Sequence, residues 1–206
     1  MRKIAESTVR RLSLYLRFLE DFGEAGAETV SSETLAGRGG TTSAQVRKDL
    51  SFFGSFGKRG LGYNVPELTG RLREILGLAR RYRLVVVGAG KIGSALVQFG
   101  GFRQRGFDIV AIFDRDPAKI GTRWDGLTIQ DAGALAEGLQ ALGPDVVVIA
   151  TPADAAQSVA ETVVAAGVRA ILNFAPVSLV VPDAVTVKTV NLAMELEALS
   201  YALTNR

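Results

Sequence analysis

Cysteine and histidine are both absent from the 206 residues. Their absence excludes disulfides, thiolate catalysis, zinc sites of the usual kind and histidine acid–base work. A redox role therefore has to come from a bound cofactor and not from thiols. Long apolar runs are missing too. No stretch approaches the roughly 20 residues that a membrane helix needs. The longest, residues 170–181, is interrupted by Asn173, Pro176 and Ser178. No apolar segment follows the charged N-terminus, so no signal peptide is expected. The chain reads as soluble and cytoplasmic, with neither a membrane nor a metal as partner.

Charge is distributed unevenly. Residues 1–82 hold 14 Lys/Arg against 9 Asp/Glu, net +5, and residues 83–206 hold 10 against 12, net −2. A basic half suits a polyanion and a near-neutral half does not. The chain is long enough for two small domains with their own cores.

The N-terminal half carries helical periodicity. Leu12, Leu16 and Leu19 share a face over residues 7–22. Ser31 or Ser32 caps a short helix over 33–36. Thr42 opens a third helix, and Gln45 completes a capping box with it. Val46, Leu50 and Phe53 point inward, which leaves Ser43, Arg47, Lys48 and Ser51 largely outside the stripe. Residues 54–65 then hold glycines, aromatics and two cations, suited to a twisted hairpin. Pro66 closes it, and a linking helix follows over 68–81. Three short helices and a basic hairpin match a winged helix. Its third helix would enter the major groove while the hairpin cations hold phosphates. The candidate DNA contacts are Ser43, Gln45, Arg47 and Lys48 on the helix, with Lys58 and Arg59 on the wing. Gln suits adenine and Arg suits guanine, without fixing which base each meets.

The second half alternates strand and helix. Strands are expected near 84–88, 109–113, 128–130, 145–151, 170–174 and 185–190, and helices near 92–105, 132–142 and 155–166. Continuous runs such as Val146-Val-Val-Ile149 fit a parallel sheet covered on both faces. Gly88-x-Gly90-x-x-Gly93 follows the first strand and opens a helix. In that setting Gly88 permits the tight turn, Gly90 lets the backbone approach a pyrophosphate and Gly93 allows close helix–strand packing. The helix start, with Lys91 and Ile92, offers free N–H donors to the phosphates. Asp114 lies 21 residues beyond Gly93 at the end of the second strand, placed to accept bonds from ribose hydroxyls. Its charge favours NAD(H) over a 2′-phosphorylated dinucleotide. Arg115 either takes such a phosphate or stacks on adenine, and Lys119 is a further candidate contact. Thr151, Pro152 and Ala153, with Asn173, Phe174, Ala175 and Pro176, follow later strands and should line the ligand crevice. No Tyr-x-x-x-Lys pair exists: Tyr15, Tyr63, Tyr82 and Tyr201 are followed four residues on by Leu19, Glu67, Val86 and Asn205. With no such pair and no histidine, the cofactor reads as a ligand rather than a reagent, and no residue is assigned as catalytic.

Residues 191–205 form a last helix with Leu192, Leu196, Leu199 and Leu203 on one stripe and Asn191 as N-cap. That stripe either packs on its own domain or meets a partner chain.

Taken together, several blocks resemble the Rex family of redox-sensing bacterial repressors. They are Val30-Ser-Ser32, Gln45-Val-Arg-Lys-Asp-Leu-Ser51, Phe56-Gly-Lys-Arg-Gly60, Gly62-Tyr63, Phe107-Asp-Ile-Val110, Phe113-Asp114, Asp116-Pro117, Ile171-Leu-Asn-Phe-Ala-Pro176 and Val181-Pro182. The resemblance spans nearly the whole chain. It implies a homodimer on double-stranded operator DNA, with the last helix swapped onto the partner. It also implies NADH and NAD⁺ competing for one site, NADH releasing the DNA, and target genes of respiration and fermentation. The expected architecture is α/β: a winged-helix domain with its linking helix over 1–82, a Rossmann-like NAD(H) domain over 83–190, and a dimerisation helix over 191–206. Two residues depart from the family pattern. Phe99 stands where the family often has Tyr, and Asn191 where it often has Asp; Arg17, the expected partner of that Asp, is present. An NAD-dependent dehydrogenase, or a DNA-binding protein with a weakened switch, are the alternative readings.

Overall fold

The computed structural model describes residues 4–57 and 61–205. The chain folds as two compact units, Met1–Arg80 and Arg81–Arg206. In the first, α1 (Glu6–Glu24) turns its apolar stripe of Leu12, Tyr15, Leu16 and Leu19 inward. A two-residue strand β1 (Thr29–Val30) leads to α2 (Ser32–Gly39), whose N-cap Ser31 accepts the Thr34 N–H at 3.0 Å. Next comes α3 (Ser43–Ser51), capped by Thr42, and later β2 (Tyr63–Asn64) and α4 (Val65–Ile75). Leu35, Val46, Leu50, Leu68 and Leu72 close the core with the α1 stripe. Burying each such side chain contributes about 2 kcal/mol.

Among the described residues of this unit, one charged group is buried. Asp49 on α3 is 1 % exposed. Arg11 on α1 grips it with two donors, Nε to Oδ2 at 2.6 Å and Nη2 to Oδ1 at 2.8 Å. The Tyr15 hydroxyl donates to Oδ2 at 3.0 Å and the Gln45 Nε2 to Oδ1 at 2.8 Å. A buried carboxylate is tolerated only when paired and fully bonded in this way.

Two expectations change here. The capping box is half made. Thr42 Oγ1 accepts the Gln45 N–H at 3.2 Å, but the Gln45 side chain runs forward to Asp49 instead of back to the cap, drawn by the buried charge. The hairpin is also different. β2 pairs antiparallel with β1, Val30 facing Tyr63, so the second arm of the expected wing joins the strand before α2. Lys58 and Arg59 lie outside the described residues. The linking helix begins earlier than expected, at Val65, because Asn64 caps it by accepting the Glu67 N–H at 2.9 Å, and it ends sooner, at Ile75.

The second unit is a seven-stranded sheet with the order β5-β6-β4-β3-β7-β8-β9. Its parallel members are β3 (Tyr82–Val87), β4 (Phe107–Asp114), β6 (Leu127–Asp131), β7 (Val146–Ile149), β8 (Ala170–Asn173) and β9 (Thr186–Thr189). All six match strands expected from the sequence. The antiparallel edge strand β5 (Arg123–Trp124) was not expected; it pairs with β6 across Asp125-Gly126. Alternate residues serve two cores. Val85, Val87, Phe113 and Ile149 face one layer, and Leu84, Val86, Ile112 and Val148 the other. That double burial is why these strands read as unbroken apolar runs.

Helices α5 (Lys91–Gln98), α7 (Leu135–Leu142) and α8 (Ala153–Ala165) cover the sheet. The helix expected over 92–105 is broken. Phe99 is extended (φ −77°, ψ 95°), and α6 (Gly101–Gln104) restarts beyond Gly100. Adjacent glycines give helix little support, and a Cβ on Gly101 would lie 2.6 Å from the Phe99 ring. The ring instead meets Phe102 edge-on at 5.1 Å.

The last helix, α9 (Leu192–Thr204), is capped by Asn191, whose Oδ1 accepts the Ala193 N–H at 3.0 Å. None of its residues is buried, and Leu192, Leu196, Leu199 and Leu203 are all exposed.

The Asp49 cluster should govern the pH limits of the first unit. Burial pushes the Asp49 carboxyl up, but the bonds from Arg11, Gln45 and Tyr15 outweigh it and hold the group below its ordinary value. Its stabilisation is then complete above the unfolded carboxylate value of about 4 and is lost as pH falls through the lower folded value. Burial, and then the Asp49 bond, push the Tyr15 hydroxyl up to about 12. Its contribution is present below the unfolded value and lost as pH rises toward the folded one. Denaturant unfolding at neutral pH should show Asp49→Asn less stable by about 3 kcal/mol. The variant should also lose the part of the acid sensitivity that lies below about pH 4.

Candidate functional site

The turn after β3 is built on contact. Gly88 has φ +105°, and a Cβ there would strike the Ala150 oxygen at 2.5 Å. Gly93 lies so close under the turn that its Cβ would fall 1.9 Å from the Gly88 oxygen. Gly90 is different: nothing lies within 4 Å of the place where its Cβ would be. The fold itself demands small residues at positions 88 and 93, whereas at position 90 the space is left open.

That space opens onto a cleft of about 550 Å³. Gly88, Gly90, Asp114, Arg115, Lys119, Thr151 and Pro152 line it, as expected, together with Asp116, Pro117, Ala132, Ala150 and Val159. The cleft sits between the carboxyl ends of β3 and β7, where the strand order reverses direction. Ligands in open parallel sheets bind at such a point. Asp114 is 8 % exposed. Its Oδ2 accepts the Ala89 N–H at 2.5 Å and its Oδ1 the Asp116 N–H at 2.8 Å, so the carboxylate holds the glycine turn and the following loop together. Each oxygen keeps a second lone pair for a ribose hydroxyl. The Lys119 Nζ stands 3.6 Å from Asp114 and 3.4 Å from Asp116. The Ala118 N–H, and then Lys119, hold the Asp116 carboxyl below its ordinary value. Thr151 Oγ1 is buried with no hydrogen-bond partner. Such a group costs about 1–3 kcal/mol until something satisfies it. An open glycine, a carboxylate with lone pairs to spare and an orphaned hydroxyl on one cleft fit NAD(H).

The other expected residues have different places. Gly93 is buried under the turn, Ile92 is exposed, and Lys91 and Ala153 begin α5 and α8. Asn173 is fully buried and its amide is spent. Nδ2 donates to the Ala175 and Val177 oxygens and Oδ1 accepts the Ala175 N–H. It organises the turn after β8 rather than reaching outward. Phe174 packs on the sheet, Ala175 is buried and Pro176 is exposed. Asp116 and Pro117 were missed as cleft residues; their signal was position, directly after the acidic strand end.

In the first unit, Arg47 and Lys48 are exposed on α3 and Ser43 is half-buried at its start. Arg47 Nη1 donates to Ser32 Oγ at 2.8 Å and lies 3.4 Å from Glu33 Oε1. The Glu33 carboxyl is held below its usual range, first by its own backbone N–H at the start of α2 and then by Ser32, Ser31 and Arg47. Gln45, expected as a base contact, has its amide committed to Asp49. Among the described residues of the switch set, Arg17 is exposed on α1, Phe99 is 59 % exposed and Asn191 caps α9.

The chain is similar to known proteins along most of its length. Residues 3–51 match a family described as "Putative DNA-binding protein N-terminus", and residues 79–177 one described as "CoA binding domain". The redox-sensing transcriptional repressor Rex of Syntrophomonas wolfei is 49% identical over 99% of this chain and 98% of its own. That of Streptomyces coelicolor is 46% identical over 97% of this chain and 78% of its own. Among solved structures, the Rex-family repressor RSP in complex with beta-NAD⁺ and operator DNA is similar with a TM-score of 0.93. It is 35% identical, covering 98% of this chain and 94% of that one. RSP in complex with beta-NADH gives a TM-score of 0.90 at 34% identity.

The two glycines should separate on mutation. Gly93→Ala should lower the melting temperature of the second unit and NADH affinity together. Gly90→Ala should leave melting unchanged and weaken NADH binding in a fluorescence titration, because its methyl enters only the open cleft.

Proposed function

The chain belongs to the Rex family of redox-sensing transcriptional repressors, and from that premise we propose how its residues divide the work. The protein is a DNA-binding repressor that senses NADH against NAD⁺; it is a regulator rather than an enzyme. Its signal is a dinucleotide in the cleft of the second unit. Its address is operator DNA read by the winged helix.

The observation that carries the residue assignment is the cleft itself. Gly88 and Gly90 bring backbone N–H groups of the α5 start to the pyrophosphate. Asp114 takes the ribose hydroxyls, and its charge disfavours a phosphorylated ribose, whether the 2′-phosphate of NADP or the 3′-phosphate of coenzyme A. Lys119 and Arg115 flank the adenosine end, and Thr151 gains a partner for its orphaned hydroxyl. In the winged helix, Ser43, Arg47 and Lys48 face the major groove, and Lys58 and Arg59 hold phosphates. Arg47 meets the DNA already positioned by Ser32 and Glu33.

The functional unit is a homodimer. An isolated helix of this length is marginal in water, and α9 buries none of its residues within its own chain. Its leucine stripe therefore belongs against a second copy, as a swapped helix. NADH prefers a dimer packing that misplaces the recognition helices relative to successive major grooves. A ligand shifts such an equilibrium only by its differential affinity for the two states. Phe99 lacks a hydroxyl and Asn191 lacks a charge, so the polar network available to set that packing is reduced in this chain.

The test is a titration at fixed salt of an operator duplex, selected by the protein itself from a randomised pool, with NADH, NAD⁺ or neither. NADH should weaken binding at least about fivefold, the low end of allosteric coupling, and NAD⁺ should not. Equal effects of the two nucleotides contradict redox sensing. The Phe99→Tyr, Asn191→Asp double variant should widen the difference between them.

A further inference from the structure

We propose that Asp49, with Arg11 and Gln45, is a positioning assembly for DNA recognition: it fixes the pose of α3 on α1 and leaves base reading to Ser43, Arg47 and Lys48. The proposal rests on the DNA-binding function assigned above.

The placement is unusual for a carboxylate. Asp49 lies directly beside Lys48 and two residues after Arg47, on the helix that faces DNA, yet it points into the core and is 1 % exposed. Four hydrogen bonds saturate its two oxygens. Three of them come from α1, through the Arg11 fork and the Tyr15 hydroxyl. Arg11 is itself braced by Thr8, whose Oγ1 accepts from Nη2 at 3.2 Å. A bidentate guanidinium–carboxylate pair fixes orientation as well as distance. Apolar packing of Val46 and Leu50 holds α3 on the core but tolerates small slides and rotations. The fork does not, since rotating α3 breaks one of its two bonds.

Gln45 belongs to the same assembly. Asp49 can only accept, so the Gln45 amide must turn its Nε2 inward. An amide held in this way cannot swing freely to make the two-bond contact that reads adenine. On the opposite side, Arg47 is tied to Ser32 and Glu33 at the start of α2. The recognition helix is thus anchored by polar contacts to both of its neighbours, and the side chains left for the groove inherit its pose.

Positioning and reading leave different signatures. A lost base contact changes which base is preferred at one operator position. A lost phosphate contact lowers the salt dependence. A loosened pose lowers affinity for the operator alone, because random DNA is held by charge in any pose.

The experiment uses full-length protein, the selected operator duplex and a scrambled duplex of equal composition, over a range of salt. Arg11→Lys keeps the charge but removes the fork, Gln45→Ala keeps the ion pair, and Asp49→Asn removes the charge. Circular dichroism confirms which are folded at the assay temperature; Arg11→Lys and Gln45→Ala keep the test intact should Asp49→Asn unfold. Each folded variant should bind the operator about tenfold more weakly, the order of one lost base contact. Scrambled-duplex affinity, salt slope and base preference should be unchanged. Operator and scrambled DNA weakening together, or no loss on the operator, would overturn the proposal. A change in preferred base with Gln45→Ala would make Gln45 a reader and overturn its place in the assembly. Wild-type protein that prefers no duplex would instead sink the DNA-binding reading itself.

Discussion

The nucleotide cleft depends on one close approach, the seating of the α5 start beneath the β3 turn. Gly93 lies against the Gly88 oxygen, and Gly88 against the Ala150 oxygen at the end of β7. These contacts bring the first helix turn, the reversal point of the sheet and the acidic end of β4 to one place. Asp114 completes it by bonding the Ala89 N–H. Move the helix outward by the width of a methyl group and the cleft loses its floor, the carboxylate loses its bond and the start of α5 no longer faces the cleft.

The winged helix solves a related problem with charge instead of close backbone contact. Its third helix is short, only Ser43–Ser51, so packing alone defines its pose weakly. The Arg11–Asp49 fork on one side and the Arg47 bonds to α2 on the other supply the missing definition. Both units therefore place a carboxylate where geometry matters most. Asp114 holds the glycine turn and Asp49 holds α3, and both are nearly buried with their oxygens bonded.

Much of this was legible in the sequence, for physical reasons. Strand runs such as Val146–Ile149 must be buried on both faces, and the glycine spacing after β3 serves a helix start closely packed on a strand. Those signals are local. Failures came where a side chain's bonding partner decides its place. Asp49 sits among the inward positions Val46, Leu50 and Phe53, and a charge on that stripe demands a counter-charge. Its partner Arg11, however, is 38 residues away, which no local pattern reveals. Gln45 makes only half of the expected capping box, because its side chain turns to the buried Asp49 one helix turn on. Asn173 looked like a ligand contact but spends its amide on its own turn. The break at Phe99 was local and could have been read from Gly100-Gly101.

Sensing requires that the cleft and the recognition helix be thermodynamically linked, and linkage is reciprocal. If NADH lowers affinity for the operator by some factor, saturating operator must lower affinity for NADH by the same factor. The direct measurement is the NADH dissociation constant of the full-length protein, with and without saturating operator duplex at fixed salt. The account predicts weaker NADH binding in the presence of operator, by the same factor that NADH weakens DNA binding. An NADH affinity unchanged by the operator would contradict it.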